Sequence, residues 1–408
     1  MPRQDPGVAE RGPPRRYPRG VSEFTAYQPA VPAGLPSGHS LPVPARPRAL
    51  RLLGMVALGL GLVACGLLTV VLITKQTGPV AALDAALLAA VPVVPVIGAL
   101  MWLDRYEAEP AALLALAAAW GAGVATLVSL VVNSASVHAL QHSGGGVTRT
   151  VVLVAPIVEE TTKALAIVLI LAVRRREFDG VVDGVVYAGM AGVGFAFVEN
   201  VLYLGRTMTS TGHHGTMGVF LLRCVVSPFA HPLFTAATGV GIGVAVSTRN
   251  RMLRPLAPLL GWVCAVALHA VWNVSAVSGV SGFFTAYVAF QMPVFLLFVV
   301  LALVARRREG RLITRHLAVY ATTGWLAPRE LRMLGSLPLR REARAWAQRT
   351  GGPAARAAMR DFQELGSELA FLRDRMVRGS AASDAQEQEY AILAGMSALR
   401  AQFLPPVA

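Results

Sequence analysis

The chain has 408 residues, 54% of them hydrophobic and only 15% charged, with a mean hydropathy of +0.55. About a quarter of the residues of an ordinary soluble domain are charged, so that class is excluded and most of the chain is assigned to a bilayer. The net charge of +14 is carried by arginines spread from loop to loop, which argues against nucleic acid as a partner, because that binding needs the basic residues gathered on one face.

Residues 1–50 contain eleven prolines among scattered arginines and glycines, a composition that predicts a disordered cytoplasmic tail. No short charged segment leads into an apolar stretch with a small-residue cleavage site, so no cleavable signal is expected. Residues 51–308 are expected to form a transmembrane domain. Apolar runs that reach the spanning length of about 20 residues lie at 52–74, 80–103, 111–136, 150–173, 181–204, 217–247, 256–278 and 283–305. Arginines crowd before the first run (Arg46, Arg48, Arg51), after the fourth (Arg174, Arg175, Arg176), after the sixth (Arg249, Arg251, Arg254) and after the eighth (Arg306, Arg307, Arg308). The intervening loops carry chiefly Lys75, Arg149 and Arg206, so the positive-inside rule puts both termini in the cytoplasm of a multi-pass cell-membrane protein, with anionic lipid beside the arginines.

Gly184, Ala188, Gly192 and Gly194 in the fifth run, and Gly239, Gly241 and Gly243 in the sixth, predict close helix approach. Cys65, Cys224 and Cys264 all fall in predicted spans without a CxxC pair and are read as small apolar side chains. Residues 309–408 turn polar and helical, with breaks at Gly351-Gly352-Pro353 and near Gly379. There Phe362, Leu365, Leu369, Leu372 and Met376, then Ile392, Met396, Leu399 and Phe403, recur at threes and fours and predict a helical hairpin. The expected fold is thus all-α: about eight transmembrane helices and a cytoplasmic helical C-terminal region.

The fourth run holds Glu159, Glu160 and Lys163. At a helix centre, charged residues of this kind cost roughly 2.5–3.5 kcal/mol each and mark functional sites. Glu199 and Asn200 lie in the fifth run, His231 in the sixth, and His269 with Asn273 in the seventh. Counted from the nearest basic anchor, Glu160 is 14 residues up, His269 15 and His231 18, or roughly 21–27 Å at the helical rise. Glu199, 23 residues beyond Arg176, comes out higher, near 34 Å on the same rise. Four helices therefore bring ionisable groups to a similar layer. Lys163 is i+4 from Glu159 and i+3 from Glu160, so one cation can offset both acids. Carboxylate, imidazole and carboxamide suit hydrolysis, as base, water or Zn²⁺ ligand, and oxyanion donor. Proton relays use the same groups, so a proton-coupled transporter stands as the alternative, as does a non-catalytic scaffold in which the Glu–Lys pair fixes helix register. HExxH is absent, and so are GxSxG and a GxGD aspartate pair, which argues against zincin-type, serine and aspartyl chemistry.

Glu159-Glu160-Thr-Thr-Lys163, Phe195-x-x-x-Glu199-Asn200, His231-Pro-x-Phe and His269-Ala-x-Trp-Asn273, in that order on successive helices, resemble the PrsW family of intramembrane proteases over about residues 95–305. Asp104-Arg-Tyr-Glu-Ala-Glu-Pro110 also looks like a feature of that family. The resemblance implies a polytopic protease, usually classed as a metalloprotease and related to the CAAX-prenyl endopeptidase and Abi group. It matches Glu159 and Glu160 to the catalytic pair, and His231 and His269 to histidines at a metal or water site. Glu199 stands where the CAAX group has a histidine. On this resemblance Zn²⁺ is the expected cofactor, held by His231, His269 and Glu199, with Asn273 stabilising an oxyanion and Lys163 and Asn200 in support. A glutamate mechanism without zinc stays open beside it. A single-pass regulatory membrane protein, such as an anti-sigma factor, is the implied substrate class.

Overall fold

A computed structural model describes residues 48–141, 146–175 and 178–404. The Pro-rich segment 1–47 lies outside them, and with it the expectation of a disordered tail. All elements among the described residues are helices, and seven are long and apolar enough to cross a membrane. In chain order the first five are α1 (Arg48–Thr77), α2 (Pro79–Leu103), α3 (Ala111–Leu140), α4 (Ala155–Val173) and α5 (Val181–Ser210). There follow α6 (Gly212–Phe220), α7 (Ala230–Ser247), α8 (Leu253–Val277), α9 (Gly279–Ala286) and α10 (Met292–Thr322). The expected fourth span is present as α4, but Glu159, Glu160 and Lys163 keep it out of the apolar set. One face of it is turned inward, with Glu160 and Lys163 both fully buried, while Ile157, Leu165 and Val168 on the other face are about half exposed.

At the centre lies α5, 78% buried over its most apolar window, where the other candidate spans reach at most 33%. It packs on α2, α3, α4 and α7, and α7 in turn packs on α8. The predicted close approaches occur. A Cβ at Gly184 would lie 2.1 Å from the Gly239 carbonyl oxygen, one at Gly239 2.0 Å from that of Gly184, and one at Gly192 2.7 Å from the Pro232 Cα. Only hydrogen fits at these crossings, and the last of them sets α5 against α7 beside His231. Gly184→Ala is therefore expected to destabilise the membrane unit by about 1–3 kcal/mol through overpacking. Thermal unfolding in detergent reads this directly, and an unchanged midpoint would mean that the two helices stand further apart. The outward faces are apolar: Leu60 is 66% exposed, Val94 75% and Val280 77%, a surface suited to lipid and not to water.

Four π-turns interrupt these helices, at Gly121–Ala125 within α3, Thr150–Val154 before α4, Leu221–Val226 after α6 and Tyr287–Gln291 between α9 and α10. Such turns re-aim side chains and recur at functional sites. The last three carry residues that border the cavities described below.

The chain divides into two compact units between Arg311 and Leu312, inside α10. The smaller contains α11 (Pro328–Leu334), α12 (Leu337–Arg378) and α13 (Ala385–Phe403). Gly352, at φ 71°, breaks α12 at the predicted Gly-Gly-Pro, and Gly379, also at φ 71°, caps its end. Phe362, Leu369 and Leu372 of α12 and Ile392, Met396 and Phe403 of α13 are buried, as the hairpin stripes require. Arg400 locks the hairpin to α11 through Glu330 at 2.6 and 2.8 Å.

Candidate active site

Glu159 and Glu160 are adjacent on α4 and so point about 100° apart around it, which gives them different surroundings. Glu160 is 0% exposed and fully engaged. Its Oε1 lies 2.6 Å from the Lys163 Nζ and 2.9 Å from the His269 Nδ1, and its Oε2 accepts from the Thr235 hydroxyl at 2.8 Å. Of the two acids that Lys163 can reach along the helix, it pairs closely with Glu160. Its ammonium also lies 3.3 Å from the His231 Nδ1 and 4.3 Å above the centre of the Phe195 ring. Glu159 is held on one side only. Its Oε1 accepts from the Asn133 amide at 3.2 Å, while its Oε2 is buried with no hydrogen-bond partner, 3.7 Å from the His269 Nε2.

The histidine rings of α7 and α8 meet edge to face, 5.1 Å between centroids. A lysine ammonium only donates, so the His231 Nδ1 accepts and its Nε2–H donates to Glu199 at 2.7 Å. His269 donates Nδ1–H to Glu160, which leaves its Nε2 lone pair on the Glu159 side. Glu199 also accepts from Arg223, whose Nε donates to the Asn200 Oδ1 at 2.7 Å and whose guanidinium stacks over Tyr203. Asn200 thus touches Arg223 and not the Glu159–Glu160 pair. Asn273 gives one amide hydrogen to the Val151 carbonyl at 2.8 Å.

A cavity of about 260 Å³ collects Glu159, Glu199, His231, Asn273, Asn133 and Arg223 on its walls, with Trp272 at one side. Glu159, Glu199, His231 and Asn273 thus line this cavity, Lys163, His269 and Asn200 touch its walls, and Glu160 lies behind Lys163 and His269. Glu199 is level with His231, lower than the count from Arg176 implied, because α5 starts only at Val181. Sequence reasoning passed over Arg223, Thr235 and Asn133. Arg223 was open to discovery, as a lone arginine in an apolar run is as costly as a glutamate. Thr235 and Asn133 are ordinary polar residues whose role only the cross-helix contacts reveal.

Glu159, His231 and His269 each offer one ligand atom, and these atoms lie within 4.8 Å of one another. Two imidazoles with a carboxylate form a donor set used by catalytic zinc. The orphaned Glu159 Oε2 and the free Nε2 of His269, its other nitrogen held by a carboxylate, fit such an ion. His231 fits in its other tautomer, with Lys163 then donating to Glu160 alone.

A second polar cluster lies where the loop between α2 and α3 meets the first turns of α5. The Asp104 Oδ2 accepts from the Glu109 backbone N–H at 2.8 Å, its Oδ1 is buried and unpartnered, and Glu109 accepts from the Tyr187 hydroxyl. Burial, with a contribution from Asp183, pushes the Asp104 carboxyl up to about 8. Burial and Asp183 likewise push Glu109 up to about 11. Both groups hold their protons more firmly folded than unfolded. Stability is therefore full below the ordinary carboxylate range near 3.8 and falls as pH rises toward about 8. Melting temperature is expected to drop from pH 5 to pH 8, and Asp104→Asn, neutral at every pH, to flatten that slope. An equal slope in the variant would remove Asp104 from the account.

The PrsW family of intramembrane metalloproteases matches residues 109–304. The chain is 26% identical over 194 residues to Protease PrsW of Clostridioides difficile, covering 47% of this chain and 78% of that one. It is 33% identical over 100 residues to Protease PrsW of Oceanobacillus iheyensis, covering 24% of this chain and 42% of that one. No solved structure matches the chain.

Proposed function

We propose, from the match of residues 109–304 to the PrsW family of intramembrane metalloproteases, that the Glu159–His231–His269 site hydrolyses a peptide bond of a membrane-embedded protein. The observation that carries this reading is the unpartnered Oε2 of Glu159, buried beside two imidazoles on a cavity large enough for a peptide group and water. Glu159 is the general base. Its free oxygen takes a proton from water as the water oxygen bonds to the carbonyl carbon, and the same proton then passes to the amide nitrogen as the C–N bond breaks. The products are a carboxylic acid and an amine, which exchange the acid's proton to leave a carboxylate and an ammonium. The second amide hydrogen of Asn273 is available to the developing oxyanion. Glu160 orients His269, and Lys163 neutralises Glu160. Arg223 neutralises Glu199, which in turn fixes His231.

His231 and His269, with Glu199 beside His231, would hold a divalent ion, for which zinc is the reading, and the Glu159 Oε2 would face its water. When bound it supplies Lewis-acid polarisation and a more acidic water. The substrate class is a single-pass membrane protein, the anti-sigma-factor type being the case that the family resemblance implies. Both termini are taken as cytoplasmic from the arginine distribution. The test joins metal analysis to cleavage. Purified wild type is expected to hold zinc and cut candidate single-pass proteins, with His231→Ala and His269→Ala losing both properties. An active wild type free of metal would replace zinc with water activated by Glu159 alone.

A further inference from the structure

Behind the two imidazoles lies a second cavity, of about 190 Å³, walled by Phe229, Phe234, Leu268, Trp272 and Tyr287, with Gln291 at its edge. Trp272 borders both this cavity and the one that holds Glu159. Phe234 stacks on His269, 5.2 Å between centroids, and meets His231 at 5.8 Å. One layer of side chains therefore separates the pocket from the catalytic site. Its rim faces the apolar exterior, with Val225 55% exposed, Phe290 42% and Met292 39%. The backbone is interrupted here as well. The π-turn Leu221–Val226 gives way at Ser227, whose φ of −133° and ψ of 44° leave the helix, and α7 starts only at Ala230. The Tyr287 hydroxyl pins the Val226 carbonyl at 2.7 Å.

One polar atom at this pocket lacks a partner. Gln291 donates through Nε2 to the Ser275 hydroxyl at 2.9 Å, which leaves its Oε1 buried and without a hydrogen bond. An acceptor with nothing to accept calls for a donor from outside. A helical peptide bond is shielded by its own hydrogen bonds, so hydrolysis in a membrane needs an unwound segment, and unwinding in lipid leaves N–H groups unpaired. A lipid acyl chain brings no such donor. Apolar cavities of about 150 Å³ admit benzene, so this pocket is of a size for a phenylalanine or leucine side chain.

We infer that this pocket receives a bulky apolar side chain from an unwound stretch of a substrate's membrane segment beside the scissile bond, with the Gln291 Oε1 accepting a backbone N–H of that stretch. The inference rests on the protease reading and names the substrate feature selected there.

The probe is a single-pass alanine–leucine peptide with a central Gly-Pro break, carrying one p-benzoylphenylalanine moved position by position across the break. It is irradiated with the full-length Glu159→Gln protein in phosphatidylcholine–phosphatidylglycerol nanodiscs, and labelled residues are mapped by mass spectrometry. Labelling is expected to concentrate on Met292 and Phe229 from one or two probe positions only. It should fall about tenfold or more in Val294→Trp, which fills the pocket, the range expected for losing one apolar contact. Gln291→Leu should weaken labelling too. A parallel arm uses active protein and peptides with Phe, Leu or Ala at the labelling position. Wild type is expected to favour Phe and Leu about tenfold or more in kcat/KM, Val294→Trp to level the three, and Phe290→Ala to admit Trp. Labelling that ignores probe position or Val294→Trp, or a benzophenone fatty acid that labels the pocket and is not displaced by peptide, overturns the inference. Position-dependent labelling without wild-type cleavage would instead sink the protease reading and leave the pocket standing.

Discussion

Glu159→Gln is expected to lower kcat for cleavage of a single-pass substrate by about 10²–10⁴-fold, the range for removing a positioned general base. The change is nearly isosteric and keeps an oxygen that can accept from Asn133. What it takes away is the carboxylate that faces the cavity with no partner. Stability should hold or rise slightly, since the uncompensated buried acid becomes neutral. The measurement is single-turnover cleavage in proteoliposomes, with the melting temperature followed in parallel. Retained cleavage in Glu159→Gln, and also in a Glu159→Gln, Glu160→Gln double variant, would remove both acids from the chemistry and with them the proposed mechanism.

Lys163→Met is expected to destabilise the membrane unit by about 3–5 kcal/mol, the cost of stranding one partner of a buried ion pair. The pair is close, at 2.6 Å, and both side chains are 0% exposed, so neither solvent nor lipid headgroups can take over from the missing partner. Glu160→Gln strands the lysine in the same way. The double variant, with no charge left unpaired, should be more stable than either single, and a thermodynamic cycle built from the four midpoints measures the coupling. Its activity should stay low, because His269 then lacks the carboxylate that holds its Nδ1 and His231 lacks the ammonium at its Nδ1. Simple additivity of the two single changes would show that the pair does not act as a unit.

Much of this architecture is legible in the sequence. Spans follow from apolar length, and the EExxK helix declared itself by breaking that rule. The crossings at Gly184 and Gly239 were foreseen from glycine placement, and the α12–α13 hairpin from its stripes. Heights counted from arginine anchors put Glu160, His231 and His269 in one layer, and their contacts agree. Glu199 comes out higher only when counted from Arg176, and the start of the fifth span at Val181 brings it level with them.

Hydropathy, charge distribution and motif order belong to the chain itself, and so the sequence determined the membrane class, the number of long apolar runs, the likeness to the PrsW family and the list of polar residues. Which glutamate is free did not follow from it. Lys163 can reach Glu159 at i,i+4 and Glu160 at i,i+3, and helix spacing alone does not choose between them. The choice comes from the rotation of α4 against α7 and α8, which brings Thr235 and His269 onto Glu160 and leaves one oxygen of Glu159 bare. The pairing of Arg223 with Glu199 and the orphaned acceptor of Gln291 arise in the same way, from cross-helix contacts at π-turns and glycine crossings that a one-dimensional pattern does not encode.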